Sequence, residues 1–141
     1  MITNLTIRDL ENTTVPEAVF EFKNLTNLEI YSSHKNKVKI TNIPDDIGNL
    51  IHLKALSFGG ISIEHLPDCV FELPKLTRIS ISGTGLRKIP QCFNLPLLKY
   101  ANFNDNQLAT VPEQLFQLPE LNSLNLNRNQ LITLPLSLIH I

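Results

Sequence analysis

The side chains able to do nucleophilic or metal chemistry are few and scattered. Cys69 and Cys92 each stand two residues after a proline, and the four histidines fall at 34, 52, 65 and 140. A zinc site wants two histidines one helical turn apart, or cysteines clustered beside histidine. Neither spacing occurs, so no metal is expected. The run "SISGTG" at 80 to 85 sets serine beside glycine, but a serine nucleophile needs a sharp glycine elbow and a base in reach. "GNL" and "FGG" lack the lysine and spacing of a phosphate-binding loop. No catalytic residue and no cofactor are expected, and the chain reads as a non-enzyme.

The remaining reactive features have structural explanations. A Cys69–Cys92 disulfide would need Cα atoms within about 7 Å and favourable Cβ vectors; two cysteines in a chain without an export signal favour free thiols. "NLT" at 4 and 24 and "NTT" at 12 match the glycosylation acceptor. Leu25 falls on a core position, however, and the same lack of a signal makes these matches coincidences.

What positions these residues is a repeat, and the prolines reveal it. Pro16, Pro44, Pro67, Pro90, Pro112 and Pro135 each follow Val, Ile or Leu, at separations of 28, 23, 23, 22 and 23. Counted from them, Leu53, Leu56 and Phe58 align with Leu76, Ile79 and Ile81, with Leu98, Ala101 and Phe103, and with Leu121, Leu124 and Leu126. Leu25, Leu28 and Ile30 join them, as do Ile2, Leu5 and Ile7 at the start. In Leu124-Asn125-Leu126 the alternation puts two leucines on one face of a short strand and an asparagine on the other. Asn129 sits where the chain must bend, with an amide that both donates to and accepts from backbone groups; Asn106 is its equivalent. Thr84, Ile61, Ser33 and Leu10 take that place in the other units, which predicts a looser or altered turn in the N-terminal half. Proline at the first position of a helical turn loses nothing, and Pro74, Pro96 and Pro119 then stop the turn. Phe20, Phe71 and Phe116, with Phe93 in the shortened unit, read as a stacked aromatic column within the core.

These positions resemble the leucine-rich repeat family, whose consensus L-x-x-L-x-L-x-x-N/C-x-L recurs here from about residue 2 to residue 138. The type is the 23-residue one that opens each unit with Leu/Ile-Pro. The resemblance implies an α/β, right-handed solenoid: about six short parallel strands line a concave sheet, and 3-10 or short helical turns cover the convex side. One domain is expected over 1–141, with units beginning near Pro16, Pro44, Pro67, Pro90 and Pro112 and an incomplete last unit from Pro135. One unit cannot bury its own apolar face, so stability comes from stacking on neighbours.

The resemblance also implies binding of a protein partner along the concave face. Residues at equal repeat positions form columns there. One is Thr6, Glu29, Ser57, Ser80, Asn102, Asn125; the next is Arg8, Tyr31, Gly59, Ser82, Asn104, Asn127; a third is Asp9, Ser32, Gly60, Gly83, Asp105, Arg128. Asn4, Asn27, Ala55, Arg78, Tyr100 and Ser123 lie nearer the strand start. Interface hot spots favour aromatic and arginine side chains, which singles out Tyr31, Arg78, Tyr100 and Arg128. The amides of Asn102, Asn104, Asn125 and Asn127 join them, free to meet a peptide backbone or sugar hydroxyls. Two alternatives stay open: the substrate-recognition part of a larger effector or signalling enzyme, and carbohydrate binding by the Asn/Ser floor.

Composition narrows the partners. Of 141 residues 43% are hydrophobic and 18% charged, with a net charge of -1, so no global field draws the chain to nucleic acid or an acidic membrane. No stretch approaches the roughly 18 apolar residues of a membrane span, and "MITNLTIRDLEN" has no signal-peptide pattern. A cytoplasmic location is expected, or a secreted one if a signal has been removed. The 28-residue unit carries its extra residues in "YSSHKNKVKITN", where His34, Lys35, Lys37 and Lys39 form the most basic segment and K-V-K-I hints at a short extra strand. The front, "MITNLTIRDLENTT", is polar enough for a partial cap. At the back Leu136, Leu138, Ile139 and Ile141 cover Leu131 and Leu134 incompletely, an apolar end open to self-association.

Overall fold

Alternation of mostly polar or small outward residues with apolar inward ones forms a strand in every unit. The computed structural model describes residues 1–10, 13–33, 39–40, 43–63, 65–91 and 93–134. Among them six strands, β1 (Asn4–Arg8), β2 (Asn27–Tyr31), β3 (Ala55–Gly59), β4 (Arg78–Ser82), β5 (Tyr100–Asn102) and β6 (Ser123–Asn125), form one open sheet in chain order, every pair parallel. The register runs Leu5↔Leu28↔Leu56↔Ile79↔Ala101↔Leu124. The expected superposition of equivalent residues is therefore observed. The sheet also repeats one device at each of its five junctions. The carbonyl just before a strand accepts two N–H groups from the next unit, as Lys54 accepts from Thr77 and Arg78 at 2.8 and 3.0 Å.

The aliphatic face of the sheet is closed by four 3-10 helices among the described residues: Glu17–Glu21, Asp45–Asn49, Asp68–Glu72 and Glu113–Gln117. Between the two layers runs one cluster in which Leu28, Ile47, Leu53, Ile61, Ile79, Leu98 and Leu108 are fully buried. The prolines lie one residue earlier than the sequence implies. Pro16, Pro44, Pro67 and Pro112 precede the first helical residue, with extended ψ of 129 to 153°. Their role is to accept: each carbonyl takes the first 3-10 bond, from Val19, Ile47, Val70 or Leu115, all at 3.1 Å. In the unit one residue shorter, Pro90 starts no 3-10 helix among the described residues.

The aromatic column is interrupted. Phe71 and Phe93 meet with ring centroids 6.4 Å apart, and Phe20 is buried while Phe116 is half-buried. Gly48 takes the aromatic position in the second unit. A Cβ there would stand 3.0 Å from that of Cys69, so Cys69 fills the space a ring would occupy. Its thiol donates to the Asp45 carbonyl at 3.4 Å, and burial, reinforced by the Asp45 charge, pushes the thiol pKa up. Cys92 lies outside the described residues, as do His34, Lys35, Lys37, Pro135, Leu136, Leu138, Ile139, His140 and Ile141. Lys39 makes one parallel bridge to Ser62, supplemented by Ile40 N–H to the Ser62 carbonyl at 3.0 Å; this is the described remnant of the extra strand. Both end strands expose part of their apolar face. Leu5, Ile7, Leu124 and Leu126 are half-buried and Ile132 is 79% exposed, so β1 continues the repeat as an open edge. No helix of the described residues is long and apolar enough to cross a membrane.

Candidate functional site

The face of the sheet turned away from the core is lined by the residues the alternation predicts. Across it run Asn4, Asn27, Ala55, Arg78, Tyr100 and Ser123, then Thr6, Glu29, Ser57, Ser80, Asn102 and Asn125, each set in direct register. The structure brings Arg78 and Tyr100 together. They are cross-strand partners on β4 and β5, and the guanidinium lies 4.3 Å from the ring centroid. A second such pair joins Arg8 and Tyr31 on β1 and β2 at 5.2 Å. Such stacking draws the cation to the ring's electron-rich face and is worth about 0.5–1 kcal/mol at an exposed site. Arg8 had no prominence in the sequence; its column position beside Tyr31 was the available signal.

The asparagines divide their work, and less of it faces outward than the alternation implies. Asn102 Oδ1 accepts the Asn104 N–H at 3.1 Å, and Asn125 Oδ1 accepts the Asn127 N–H at 3.0 Å. Each is an Asx-turn that bends the chain after the strand, so the amides of Asn102 and Asn125 are half committed to their own backbone. Asn104 Nδ2 donates to Asp105 Oδ2 at 2.7 Å. Asn127 is exposed, with its carbonyl accepting from Asp105 N–H at 3.0 Å. Arg128 pairs with Asp105 at 3.4 Å while its side chain stays 80% exposed, a geometry that contributes little in water. The N–Cα torsion of both is left-handed, φ 56° and 53°, as it is at Asp9, Gly60 and Gly83 in the same column. That column is a backbone corner, which explains its glycines and aspartates.

Asn106 and Asn129 are structural, as expected. Asn106 Nδ2 donates to the Ile81 and Phe103 carbonyls at 2.6 and 3.0 Å, and its Oδ1 accepts from Thr84 N–H, Thr84 Oγ1 and Leu86 N–H. Asn129 repeats the pattern on Phe103, Leu126 and Leu108. Among the described residues no group of three His, Cys, Asp or Glu side chains is placed to hold a metal ion.

Hollows open on this face among the described residues. One, about 390 Å³, is lined by Asn27, Glu29, Ser57, Arg78, Ser80 and Tyr100 with Ala55 and Leu56 beneath. Another, about 640 Å³, lies over the corner column at Gly60, Gly83, Asp105 and Arg128. Tyr31, Asn102, Asn104, Asn125 and Asn127 line neither. Of the predicted residues, Arg78 and Tyr100 line the first hollow, Arg128 lines the second, and the other five lie outside both.

Comparison with known proteins agrees with this architecture. No family model matches the sequence, and a search of curated proteins finds no match. Among solved structures, a leucine-rich repeat protein of Leptospira interrogans superposes with a TM-score of 0.80 at 26% identity, covering 95% of this chain and 33% of that one. The leucine-rich repeat domain of the type III effector XopL gives 0.76 at 18% identity over 88% of this chain and 44% of its own. An internalin of Listeria monocytogenes gives 0.60 at 18% identity over 94% and 43%. The chain therefore spans from a third to less than half the length of these structures. Such solenoids share the open sheet and short outer turns found here.

Proposed function

Because this chain is a leucine-rich repeat protein, we propose that it is a protein-interaction module without catalysis of its own, acting in the cytoplasm and binding its partner on the concave face of the sheet. The observation that carries this reading is the pairing of Arg78 with Tyr100 at 4.3 Å beside a 390 Å³ hollow. Arginine and tyrosine are the side chains that dominate protein interfaces, and stacking holds them in place before a partner arrives. Tyr31 under Arg8 extends the same surface toward the N-terminal edge. Asn104, Asn127 and Arg128 border it on the other side, with the remaining Nδ2 donors of Asn102 and Asn125.

Glycan binding by the same floor is less well supported. A sugar ring stacks on an uncovered aromatic face, and each of the two tyrosines has a guanidinium over its ring. Proximity labelling in the native cell, followed by calorimetry with the captured partner, tests the protein reading. Tyr100→Ala and Ser57→Arg, the latter filling the hollow, are each expected to weaken binding at least tenfold, about 1.4 kcal/mol. A dissociation constant unmoved by both, and by Arg128→Glu, removes the concave face as the site.

A further inference from the structure

The concave face has a low centre and two tall sides. On β3 the outward positions hold Ala55, Ser57 and Gly59, and on β4 Ser80 and Ser82. The β2 side is raised by Glu29 and Tyr31, the β4 and β5 side by Arg78 and Tyr100. Arg78 and Glu29 are both exposed, and among the described residues neither forms an ion pair; the pair on this surface is Arg128 with Asp105. Glu29 lies two strands across from Arg78 and two residues along, since Glu29 is level with Ser80. With strands about 4.8 Å apart and about 3.3 Å per residue, the two backbones are roughly 12 Å apart. The Arg78 guanidinium is stacked instead on Tyr100 of β5, one strand farther from Glu29.

A guanidinium stacked on a ring uses its flat face and keeps its fork of N–H donors for a carboxylate, which it meets with two parallel bonds. We propose that the hollow seats an extended segment of the partner protein that presents an acidic side chain to Arg78 and a basic one to Glu29, four residues apart. Side chains at i and i+4 of an extended chain share a face about 13 Å apart, close to the roughly 12 Å between the Glu29 and Arg78 backbones. The low floor admits the segment's main chain, and the Ser57 and Ser80 hydroxyls are placed to meet its backbone groups. Tyr100 is a positioning residue: it fixes the guanidinium so that less side-chain freedom is lost on binding. This inference rests on the concave face being the binding surface, and adds the charge pattern of the ligand.

Selection of random twelve-residue peptides, displayed on phage, against the wild-type chain and the E29K/R78E double variant tests it. Peptides enriched on the wild type are expected to carry Asp or Glu four residues from Lys or Arg. Those enriched on the double variant carry the two signs exchanged. Wild-type peptides should lose at least tenfold in affinity for Arg78→Glu, and several-fold for Arg78→Lys or Tyr100→Leu. If both proteins select the same charge pattern, or none, while Ser57→Arg still abolishes binding, the charge proposal fails and the concave site stands. If Ser57→Arg leaves the selected peptides bound, or no peptide is enriched, the proposal fails as well, and the labelled cellular partner still tests the concave face separately. Circular dichroism and the urea midpoint check each variant's fold, with Arg78→Gln and Glu29→Gln as neutral replacements for any that unfolds.

Discussion

The turn that closes each strand is built from different chemistry in the two halves of the chain. In the C-terminal half, one buried amide, Asn106, satisfies five groups from two adjacent units. In the N-terminal half the equivalent place holds Ile61, fully buried, and Leu10, nearly so. There the polar work passes to neighbours. Asp9 Oδ1 accepts from Ser33 N–H at 2.8 Å and Ser33 Oγ at 3.0 Å, and Ile63 N–H reaches the Thr84 carbonyl at 2.7 Å. The comparison teaches that the repeat demands a satisfied backbone corner and tolerates several ways of satisfying it. It also shows why glycine is required at one N-terminal position. At Gly60, φ is 65° and a Cβ would stand 2.2 Å from the Ser32 carbonyl oxygen.

The largest effect should come from breaking the amide-based half. Asn106→Ala leaves buried donors and acceptors unpaired and is expected to cost about 4 kcal/mol, read from the urea midpoint at constant slope. Next comes the corner that relies on close backbone approach. Gly60→Ala should cost about 3 kcal/mol, whereas Gly85→Ala, at φ 80° with nothing within 4 Å of the new Cβ, should cost about 1. Equal losses at the two glycines would show that the close contact with Ser32 does not matter. A smaller effect, about 1–2 kcal/mol, is expected for Asp9→Ala, with Asp9→Asn nearly neutral because asparagine keeps the acceptor and tolerates φ 52°. The smallest sharpens the contrast by improving a corner. Arg128→Gly relieves φ 53° and should raise stability by about 0.5 kcal/mol after the entropy of the added glycine is counted.

Much of the fold was legible because period and chemistry coincide. Leu56, Ile79 and Leu124 recur at fixed distances from the prolines, and they are the residues the sheet places in register. The structural duty of Asn106 and Asn129 followed from their place at the bend. The prolines were assigned to the right turn but one residue too far along it, because Leu/Ile-Pro marks where a 3-10 turn begins without marking which residue donates. The surface was harder to read. Alternation identifies an outward side chain without saying what that side chain touches, so Asn102 and Asn125 read as free amides although each closes an Asx-turn. The stack of Arg78 on Tyr100 depends on a cross-strand neighbour 22 residues away, visible in the columns yet not in any local pattern. The aromatic column failed at Gly48 for a similar reason: a neighbouring unit's Cys69 supplies the missing volume.

The sheet joins its strands strictly in chain order, from β1 to β6. Every strand pairing therefore closes a loop of a single period, and the entropy lost in closing such loops is modest and nearly uniform. Assembly can start in the well-covered middle, at β3 and β4, and zip toward both termini. Amide hydrogens should accordingly exchange slowest near Leu56 and Ile79 and progressively faster toward Leu5 and Leu124. A hand pulling on the two ends would peel the molecule unit by unit.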